Sequence, residues 1–278
     1  MDEVEIQDIE LGLLLEAVYT AYGYDFRDYN RAHVKRRVQQ CLTQTGLEHV
    51  SALQHAVLRD RAVFKTLLRL LSINVTEMFR DPAFFRALRE RVFPLWRERD
   101  FVKIWNPGCA SGEETYSLAI LLQEDGLYER TRIYATDFNE TVVQKAKRGI
   151  YPVQRLQEYT LNYQRAGGRH PFSDYYTARY DGAILNARLK SRIVFGCHNL
   201  VSDGSLGEMD LILCRNVLIY FNQDLQVRVM RLFVDSLAPT GVLCLGTRES
   251  LEFNPIAGHF EFLDAGQRIY RYTGRVAG

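Results

Sequence analysis

The amino-acid sequence predicts an α/β protein in which a small all-helical domain precedes a mostly parallel, doubly wound sheet. Residues 1–95 carry apolar side chains at helical spacing, without the alternation that is typical of strands. From Phe101 onward, short apolar runs alternate with amphipathic stretches, as they do in βαβ units. A glycine turn follows the first of these runs, at the point where such sheets bind nucleotides. We therefore divide the chain into domains at residues 1–95 and 96–278.

Length and composition are those of an ordinary globular protein. The 278 residues suffice for one or two domains, and no apolar run approaches the roughly 20 residues of a membrane span. The N-terminus is acidic, unlike that of a signal peptide. The five cysteines are scattered without a CxxC pair, which argues against a zinc site and is usual in a reducing compartment. We expect a cytoplasmic protein that holds no metal and does not insert into a membrane.

The net charge of +1 conceals a strong asymmetry along the chain. Residues 1–26 contain seven acids and no Lys or Arg. Residues 27–99 contain fifteen basic and seven acidic residues, a balance of +8. The remaining residues sum to zero. A basic segment of this size favours an acidic partner, although a solvated surface would look the same.

Several helices are predicted in the N-terminal domain. Apolar residues expected on one face of the first helix are Ile6, Ile9, Leu13 and Val18. The second helix, which follows Gly23, ends at Gly46 as a C-cap. Its first half is crowded with basic residues, namely Arg31, Lys35, Arg36 and Arg37. Asp81 is expected to cap a later helix that begins at Pro82.

The α/β region contains five predicted parallel strands and three helices. The strands are expected at about 102–106, 132–136, 192–197, 209–214 and 241–246, with helices at about 113–124, 139–147 and 223–237. Two late segments, about 258–263 and 268–273, are predicted to close the sheet as an antiparallel pair. Residues 151–190 do not fit the alternation and are predicted to form an insertion with a short helix and antiparallel strands. Such an insertion often docks a partner, and a bulky connection would account for it equally well.

The glycine turn predicts the kind of ligand. Gly108 and Gly112 are spaced G-x-x-x-G, so the dinucleotide pattern G-x-G-x-x-G is absent. Glu113-Glu114 follow at the start of a helix, where carboxylates would repel a pyrophosphate but suit a cation. Asp137 ends the next strand, a common position for an acid that holds ribose hydroxyls. These residues favour S-adenosylmethionine, with an NAD-type site or a plain α/β turn as the alternatives.

Further polar residues follow later strands, where ligands of such sheets bind. Asn199 comes just after one strand, where its amide could meet an adenine edge. Arg215-Asn216 stand at the tip of an apolar strand and are followed by Tyr220. A structural strand tip would carry small or apolar residues, so this pair indicates a binding function. His198 is given no role.

Five motifs in order make the chain resemble a known family. They are NVTEMFRDP (Asn74–Pro82), GCASGEETYS (Gly108–Ser117), YATDF (Tyr134–Phe138), HNL (His198–Leu200) and CRNVLIYF (Cys214–Phe221). The resemblance is to the CheR family, the chemotaxis-receptor glutamate O-methyltransferases, and it covers essentially the whole chain. It implies a Rossmann-like class I S-adenosylmethionine-dependent methyltransferase domain with a small antiparallel β insertion. Met78 stands where many members have Phe.

The resemblance also implies roles for individual residues. Cofactor-binding positions are matched by Asn74, Thr76, Arg80, Glu114, Asp137, Asn199, Leu200, Arg215 and Asn216. Arg80 and Tyr220 are the catalytic candidates, expected to hold the incoming carboxylate. Tyr220 is similar to the family's tyrosine near the transferred methyl group, and Arg80 matches a residue that reaches the cofactor from the link between the domains. The basic residues Arg31, Lys35, Arg36 and Arg37 are expected to bind the glutamate-bearing helical bundle of a receptor. The product would be S-adenosylhomocysteine.

The implied partners are proteins. We expect a monomeric cytoplasmic enzyme that is recruited to membrane receptor arrays. In some relatives the inserted subdomain binds a receptor tail, so residues 151–190 are a candidate tail-binding element here. Nucleic acid is not expected as a partner. The alternatives are a methyltransferase with another substrate and a regulatory module that senses the cofactor without turnover.

Overall fold

The computed structural model describes residues 3–72, 75–252 and 254–274. The chain forms two compact units, one from Met1–Asn74 with Ile219–Arg228 and the other from Val75–Leu218 with Val229–Gly278. The division after residue 74 differs from the predicted boundary at 95. Residues between these points belong to the larger unit because Phe79, Phe85 and Trp96 are buried in its core.

The described residues before Ser72 form four helices of the smaller unit. They are α1 (Glu3–Tyr22), α2 (Arg31–Thr45), α3 (Val50–Arg59) and α4 (Arg61–Leu71). Gly46 follows α2 in the left-handed region and its N–H bonds the Leu42 carbonyl, which confirms the predicted C-cap. The later segment Ile219–Arg228 also belongs to this unit. It is joined to the helices by a hydrogen bond of 2.8 Å from the Asn30 N–H to the Tyr220 carbonyl. None of the described helices combines the length and apolar character that crossing a bilayer requires.

The face predicted for α1 is wrong. Val18 is buried, whereas Ile6, Ile9 and Leu13 are exposed to solvent. The residues that fill the core are Leu11, Leu14, Leu15 and Val18. The prediction failed because α1 has apolar residues on two opposite faces, and the sequence pattern does not tell which face is covered.

The larger unit is built from a seven-stranded sheet, flanking helices and an inserted subdomain. In chain order the elements after α4 are α5 (Pro82–Ala87), β1 (Val102–Pro107), α6 (Glu113–Glu124), β2 (Thr131–Asp137), α7 (Glu140–Arg148), β3 (Ile150–Pro152), α8 (Leu156–Arg165), β4 (Tyr176–Arg179), β5 (Gly182–Leu185), β6 (Ile193–Cys197), β7 (Met209–Cys214), α9 (Gln223–Ser236), β8 (Leu237–Leu245), β9 (Phe260–Asp264) and β10 (Ile269–Tyr272). The part of α9 up to Arg228 belongs to the smaller unit. The strand order is β6-β2-β1-β7-β8-β10-β9. This confirms the predicted α/β class with its antiparallel closing pair.

The central strands are buried on both sides, as parallel strands covered by helices must be. β1 lies between β2 and β7 and runs parallel to both, with Ile104 opposite Ile133 and Leu211. All three of these residues are fully buried. Because the three strands are parallel, their carboxyl ends meet at one edge of the sheet, where the glycine turn and the residues after β7 are found.

The insertion folds as predicted, with α8 beside a small antiparallel sheet of order β3-β5-β4. Glu124, at the end of α6, connects the insertion to the rest of the larger unit. The Glu124 side chain is almost wholly buried. Its carboxylate accepts hydrogen bonds from the hydroxyls of Tyr163 and Tyr175 and pairs with Arg89. Burial opposes the charge, but these bonds outweigh it and hold the pKa of Glu124 below its usual value. The insertion is therefore fixed by a satisfied polar network.

Candidate active site

The glycine turn between β1 and α6 has a conformation that requires its glycines. Gly108 and Gly112 lie in the left-handed region, with φ of 69° and 92°. A Cβ atom on Gly108 would come within 2.5 Å of Cγ2 of Val217, and one on Gly112 within 2.9 Å of Cβ of Ala146. The turn is therefore tight against its neighbours and tolerates no side chain at either position.

Asp137 ties the end of β2 to this turn. One carboxylate oxygen accepts a hydrogen bond from the Ala110 N–H at 3.0 Å, and the other accepts one from the Asn139 N–H at 2.9 Å. Ala110 has φ of 48°, a conformation that this bond helps to hold. Burial raises the pKa of Asp137 to about 6, although the backbone hydrogen bonds favour the ionised form.

Glu114 occupies the first turn of α6 and is held from two sides. Its Oε1 accepts a hydrogen bond from Asn106 Nδ2 at 3.0 Å, and its Oε2 accepts one from Arg215 Nη1 at 2.8 Å. Burial raises the pKa of the Glu114 carboxyl, and the Arg215 charge opposes that rise. The Glu114 side chain as a whole keeps 15% of its surface exposed.

Asn106 is a site residue that the sequence reasoning missed. It is fully buried in β1, where its amide also donates to the Leu213 carbonyl at 2.8 Å. Its Oδ1 accepts a hydrogen bond from the Thr115 hydroxyl at 2.6 Å. A signal was available, because an Asn inside an apolar strand must find polar partners. Asn106 therefore links β1, β7 and the start of α6.

Arg215 is the buried cation of the site. Its side chain has no exposed surface, and its Nη2 bonds Asp81 Oδ2 at 2.6 Å. The guanidinium lies 4.0 Å above the ring of Phe84 and donates to the Arg80 carbonyl at 3.3 Å. Its Nε–H is also buried and has no hydrogen-bond partner among the described residues. The structure thus brings Arg215 and Glu114, two predicted cofactor residues, into direct contact.

Asp81 is at the predicted N-cap position of α5, but its side chain does not cap the helix. The residue does precede α5, and Pro82 is at the first helical position. However, Asp81 has φ of 58° and its side chain makes no capping hydrogen bond. Its carboxylate pairs with Arg215 instead, because a buried cation needs a compensating charge more than a six-residue helix needs a cap.

Glu249 organises the segment after β7 and was also missed. Its Oε2 accepts hydrogen bonds from the N–H groups of Asn216 and Gly246, at 2.9 and 2.6 Å. Its Oε1 accepts from those of Val217 and Leu218, both at 2.8 Å. Asn216 has φ of 60°, so Glu249 holds a strained residue in place. No sequence motif signals this role, since three of the four N–H groups belong to residues more than 30 positions from Glu249.

Glu113, the neighbour of Glu114, is the other acid that the sequence places at the start of α6. It is buried and accepts a hydrogen bond from the Ser111 hydroxyl at 2.8 Å. Burial raises the pKa of its carboxyl. Tyr151 of β3 donates to the Ser111 carbonyl at 2.8 Å, so the inserted subdomain supports the glycine turn directly.

The segment after β6 lies beside Asp137. The His198 N–H donates to the Asp137 carbonyl at 3.2 Å. Asn199 uses its side-chain oxygen locally, accepting from the Val201 N–H at 3.0 Å. Leu200 is half-buried. The structure therefore places this segment next to the acid expected to hold ribose.

Three of the predicted cofactor-binding residues, Asn74, Thr76 and Arg80, precede α5 in the chain. Arg80 is half-buried and its Nη1 donates to the Val75 carbonyl at 3.2 Å. Thr76 is half-buried. Asn74, predicted to bind the cofactor, lies outside the described residues.

The remaining predicted residues belong to the smaller unit. Tyr220 packs edge-to-face on His33, with ring centroids 5.4 Å apart. Arg31 donates to the Asp8 carbonyl at 2.7 Å, and Lys35 lies 3.6 Å from the Asp8 carboxylate. These two residues therefore also fasten α1 to α2.

The other two basic residues of α2 have partners within the helix. Arg36 is exposed and lies 3.4 Å from the ring of His33. Arg37 is half-buried and donates to Gln40 at 2.8 Å. Arg36 is thus well placed to meet an external partner.

The site suits a cationic ligand that carries hydroxyl groups. Glu114 and Asp81 outnumber Arg215, so the three side chains carry a formal charge of −1. Glu113 and Glu114 occupy the start of α6, where a phosphate binder would present bare N–H groups. Asp137 offers a carboxylate to hydroxyls at the adjacent strand end. These residues fit S-adenosylmethionine.

We predict that Glu249→Gln lowers the free energy of unfolding by about 2–4 kcal/mol, because a Gln amide turns N–H groups toward the buried donors of the loop. The backbone amide hydrogens of residues 216–218 should also exchange with solvent faster in the variant than in the wild type. Urea unfolding and hydrogen exchange measure these effects. The exposed Glu252→Gln variant is the control and should change stability by no more than about 0.5 kcal/mol. Unchanged exchange at residues 216–218 would contradict the role of Glu249.

Comparison with known proteins identifies the family. The protein-family model described as "CheR methyltransferase, SAM binding domain" matches residues 74–268. The family model described as "CheR methyltransferase, all-alpha domain" matches residues 9–72. The chain is 50% identical to the Cher3 protein of Pseudomonas putida, over 95% of this chain and 97% of the relative. It is 31% identical to chemotaxis protein methyltransferase 2 of Vibrio cholerae, over 90% and 88%. It is 28% identical to the chemotaxis protein methyltransferase of Salmonella typhimurium, over 95% and 90%. The chain therefore belongs to the CheR family of S-adenosylmethionine-dependent methyltransferases.

Proposed function

We propose that this enzyme transfers the methyl group of S-adenosylmethionine to glutamate side chains of chemoreceptors, forming methyl esters during adaptation in bacterial chemotaxis. The observation that carries the proposal is the net negative cluster of Arg215, Glu114 and Asp81 beside the glycine turn. The cluster supports a cationic adenosyl ligand. The names of the Vibrio and Salmonella relatives support a chemotaxis substrate.

Different residues are proposed to contact the methionyl, ribose and adenosine parts of the cofactor. Glu114 is proposed to face the cationic methionyl part, because it lies in the first turn of α6, next to the glycine turn, and matches the acid of the family's glycine motif. Asp137 is proposed to accept hydrogen bonds from the ribose hydroxyls. Adenosine would lie against Asn199 and Leu200, beside the Asp137 strand end. The pocket would be completed by Arg215, Asn216 and the linker residues Asn74, Thr76 and Arg80.

The reaction needs no general base. A glutamate carboxylate has a pKa of about 4.3 and is already ionised at pH 7. One of its oxygens attacks the methyl carbon as the carbon–sulfur bond breaks, giving an ester and S-adenosylhomocysteine. Opposite charges neutralise each other along this path, so exclusion of water should help. Alignment of oxygen, carbon and sulfur is the main catalytic contribution, and such alignment can supply roughly 7–11 kcal/mol.

Arg80 and Tyr220 are proposed to orient the incoming carboxylate. Arg80 offers a half-buried guanidinium that holds the Val75 carbonyl through one nitrogen, which leaves further donors for a carboxylate. Tyr220 has a ring fixed by His33 and a backbone carbonyl fixed by Asn30. Each residue therefore has contacts within its own unit that restrict its conformation.

The receptor is proposed to bind α2 through its glutamate-bearing helical bundle. Four basic residues line the first half of this helix, and no acid occurs in it. Opposite charge on the bundle would steer it toward the enzyme. The enzyme would then act as a cytoplasmic monomer at receptor arrays.

A receptor tail is a further proposed ligand of the inserted subdomain. β4 is an outer strand of its sheet, and Thr177, Ala178 and Arg179 are exposed along it. An outer strand can accept an extended peptide through backbone hydrogen bonds. The Glu124 network would hold this docking platform rigid.

Cofactor affinity should fall as the pH falls through about 6. The ionised Asp137 carboxylate accepts the ribose hydrogen bonds, and its pKa is about 6, so protonation removes the acceptor. Between pH 7.5 and pH 5 we expect about a tenfold loss of affinity for S-adenosylhomocysteine in calorimetric titrations. Asp137→Asn should bind weakly at both pH values, whereas Asp174→Asn, on the exposed surface, should behave as the wild type. A pH step that persists in Asp137→Asn would refute the assignment.

Methyl transfer is tested with cofactor carrying a radiolabelled methyl group and with membranes bearing a chemoreceptor. We expect label that mild base releases as volatile methanol, the signature of a carboxyl ester. The double variant Lys35→Glu/Arg36→Glu should raise the KM for receptor at least about tenfold and leave cofactor affinity unchanged. Arg61→Glu/Lys65→Glu is the control, since it makes the same charge change on exposed positions of α4. Base-stable label, or an equal rise in KM for both variants, would contradict the proposal.

A further inference from the structure

Helix α1 carries a second apolar surface that nothing in the described chain covers. Ile6, Ile9 and Leu13 are 38%, 50% and 54% exposed, and they follow one another at intervals of three and four residues. This spacing puts them on one face, opposite the face that fills the core. We call these three residues the outer stripe. Single exposed apolar residues are normal, but an aligned set on one helix is the pattern of a docking surface.

The charges on α1 restrict what can dock there. The helix contains acidic residues and no Lys or Arg. At 100° per residue, Glu5 and Glu10 lie on opposite sides of the outer stripe, so the apolar seam has acidic flanks. Farther along the same helix, Glu16 pairs with Arg27 at 3.0 Å.

We infer that the outer stripe binds an amphipathic helix of a partner protein, with an apolar seam flanked by Lys or Arg. Apolar residues of that helix would pack on Ile6, Ile9 and Leu13, and its basic flanks would meet Glu5 and Glu10. The inference concerns a partner of the enzyme and does not depend on methyl transfer.

The acidic character of α1 favours a basic helix over the other molecules that could cover the outer stripe. A symmetric contact between two copies through the outer stripe would bring one acidic α1 against another, and an anionic membrane would also be repelled. The receptor helix of the proposed function bears glutamates, so it suits the basic α2 and not α1. A basic amphipathic helix has the complementary charge.

The test uses two designed fluorescent peptides of helical amphipathic sequence, with the same leucine seam and with either Lys or Glu on the flanks. Fluorescence anisotropy with the full chain should show at least about tenfold tighter binding of the Lys peptide. Leu13→Asp should weaken that binding at least about tenfold. Glu5→Lys/Glu10→Lys should reverse the preference between the peptides.

Leu58→Asp is the matched control, because Leu58 is 46% exposed on α3 and away from the outer stripe. It should leave peptide binding unchanged. Leu13→Asp and Leu58→Asp should both keep the wild-type melting temperature, because Leu13 is 54% and Leu58 46% exposed. Three results would overturn the inference. They are equal or absent binding of the two peptides, a dimer in sedimentation that Leu13→Asp abolishes, and binding of anionic vesicles that depends on Leu13.

Discussion

The site of the larger unit depends on one buried guanidinium. Arg215 has no exposed side-chain surface, and isolating such a charge from water would cost several kcal/mol. Two carboxylates offset that cost, Glu114 from the start of α6 and Asp81 from the residue before α5. These residues are 101 and 134 positions away in sequence, so the cation joins three separate segments. Because two acids meet one base, the cluster keeps a net negative charge for a cationic ligand.

Backbone strain collects around this cluster and is held by hydrogen bonds. Asp81, Ala110 and Asn216 all have positive φ, which is rare for residues with a side chain. Asp81 is held through Arg215, Ala110 donates to Asp137, and Asn216 donates to Glu249. Each strained residue is thus matched by a buried charged side chain. Strained residues that are held by surrounding contacts in this way are common at binding sites, where they keep the geometry fixed.

Local patterns in the sequence predicted the core of this arrangement. The apolar run of β1, the glycine spacing and the acids of α6 are neighbours in sequence, so their geometry follows from short-range rules. Residues whose roles come from distant contacts could not be found in this way. Glu249 is an ordinary acid in the sequence, and only folding brings it to the amides after β7. Asp81 has the sequence context of a helix cap, but the buried Arg215 takes its carboxylate. The same limit explains α1, where two apolar faces exist and tertiary packing chooses between them.

The central claim is that the acid-rich cluster selects a cationic adenosyl ligand. Calorimetric titration of the wild type and of Glu114→Gln with S-adenosylmethionine tests it most directly. The substitution keeps the shape of the side chain and makes the cluster neutral. We expect the wild type to bind and not to take up NAD, and the variant to bind at least about tenfold more weakly. Unchanged affinity in Glu114→Gln, or ready binding of NAD by the wild type, would contradict the account.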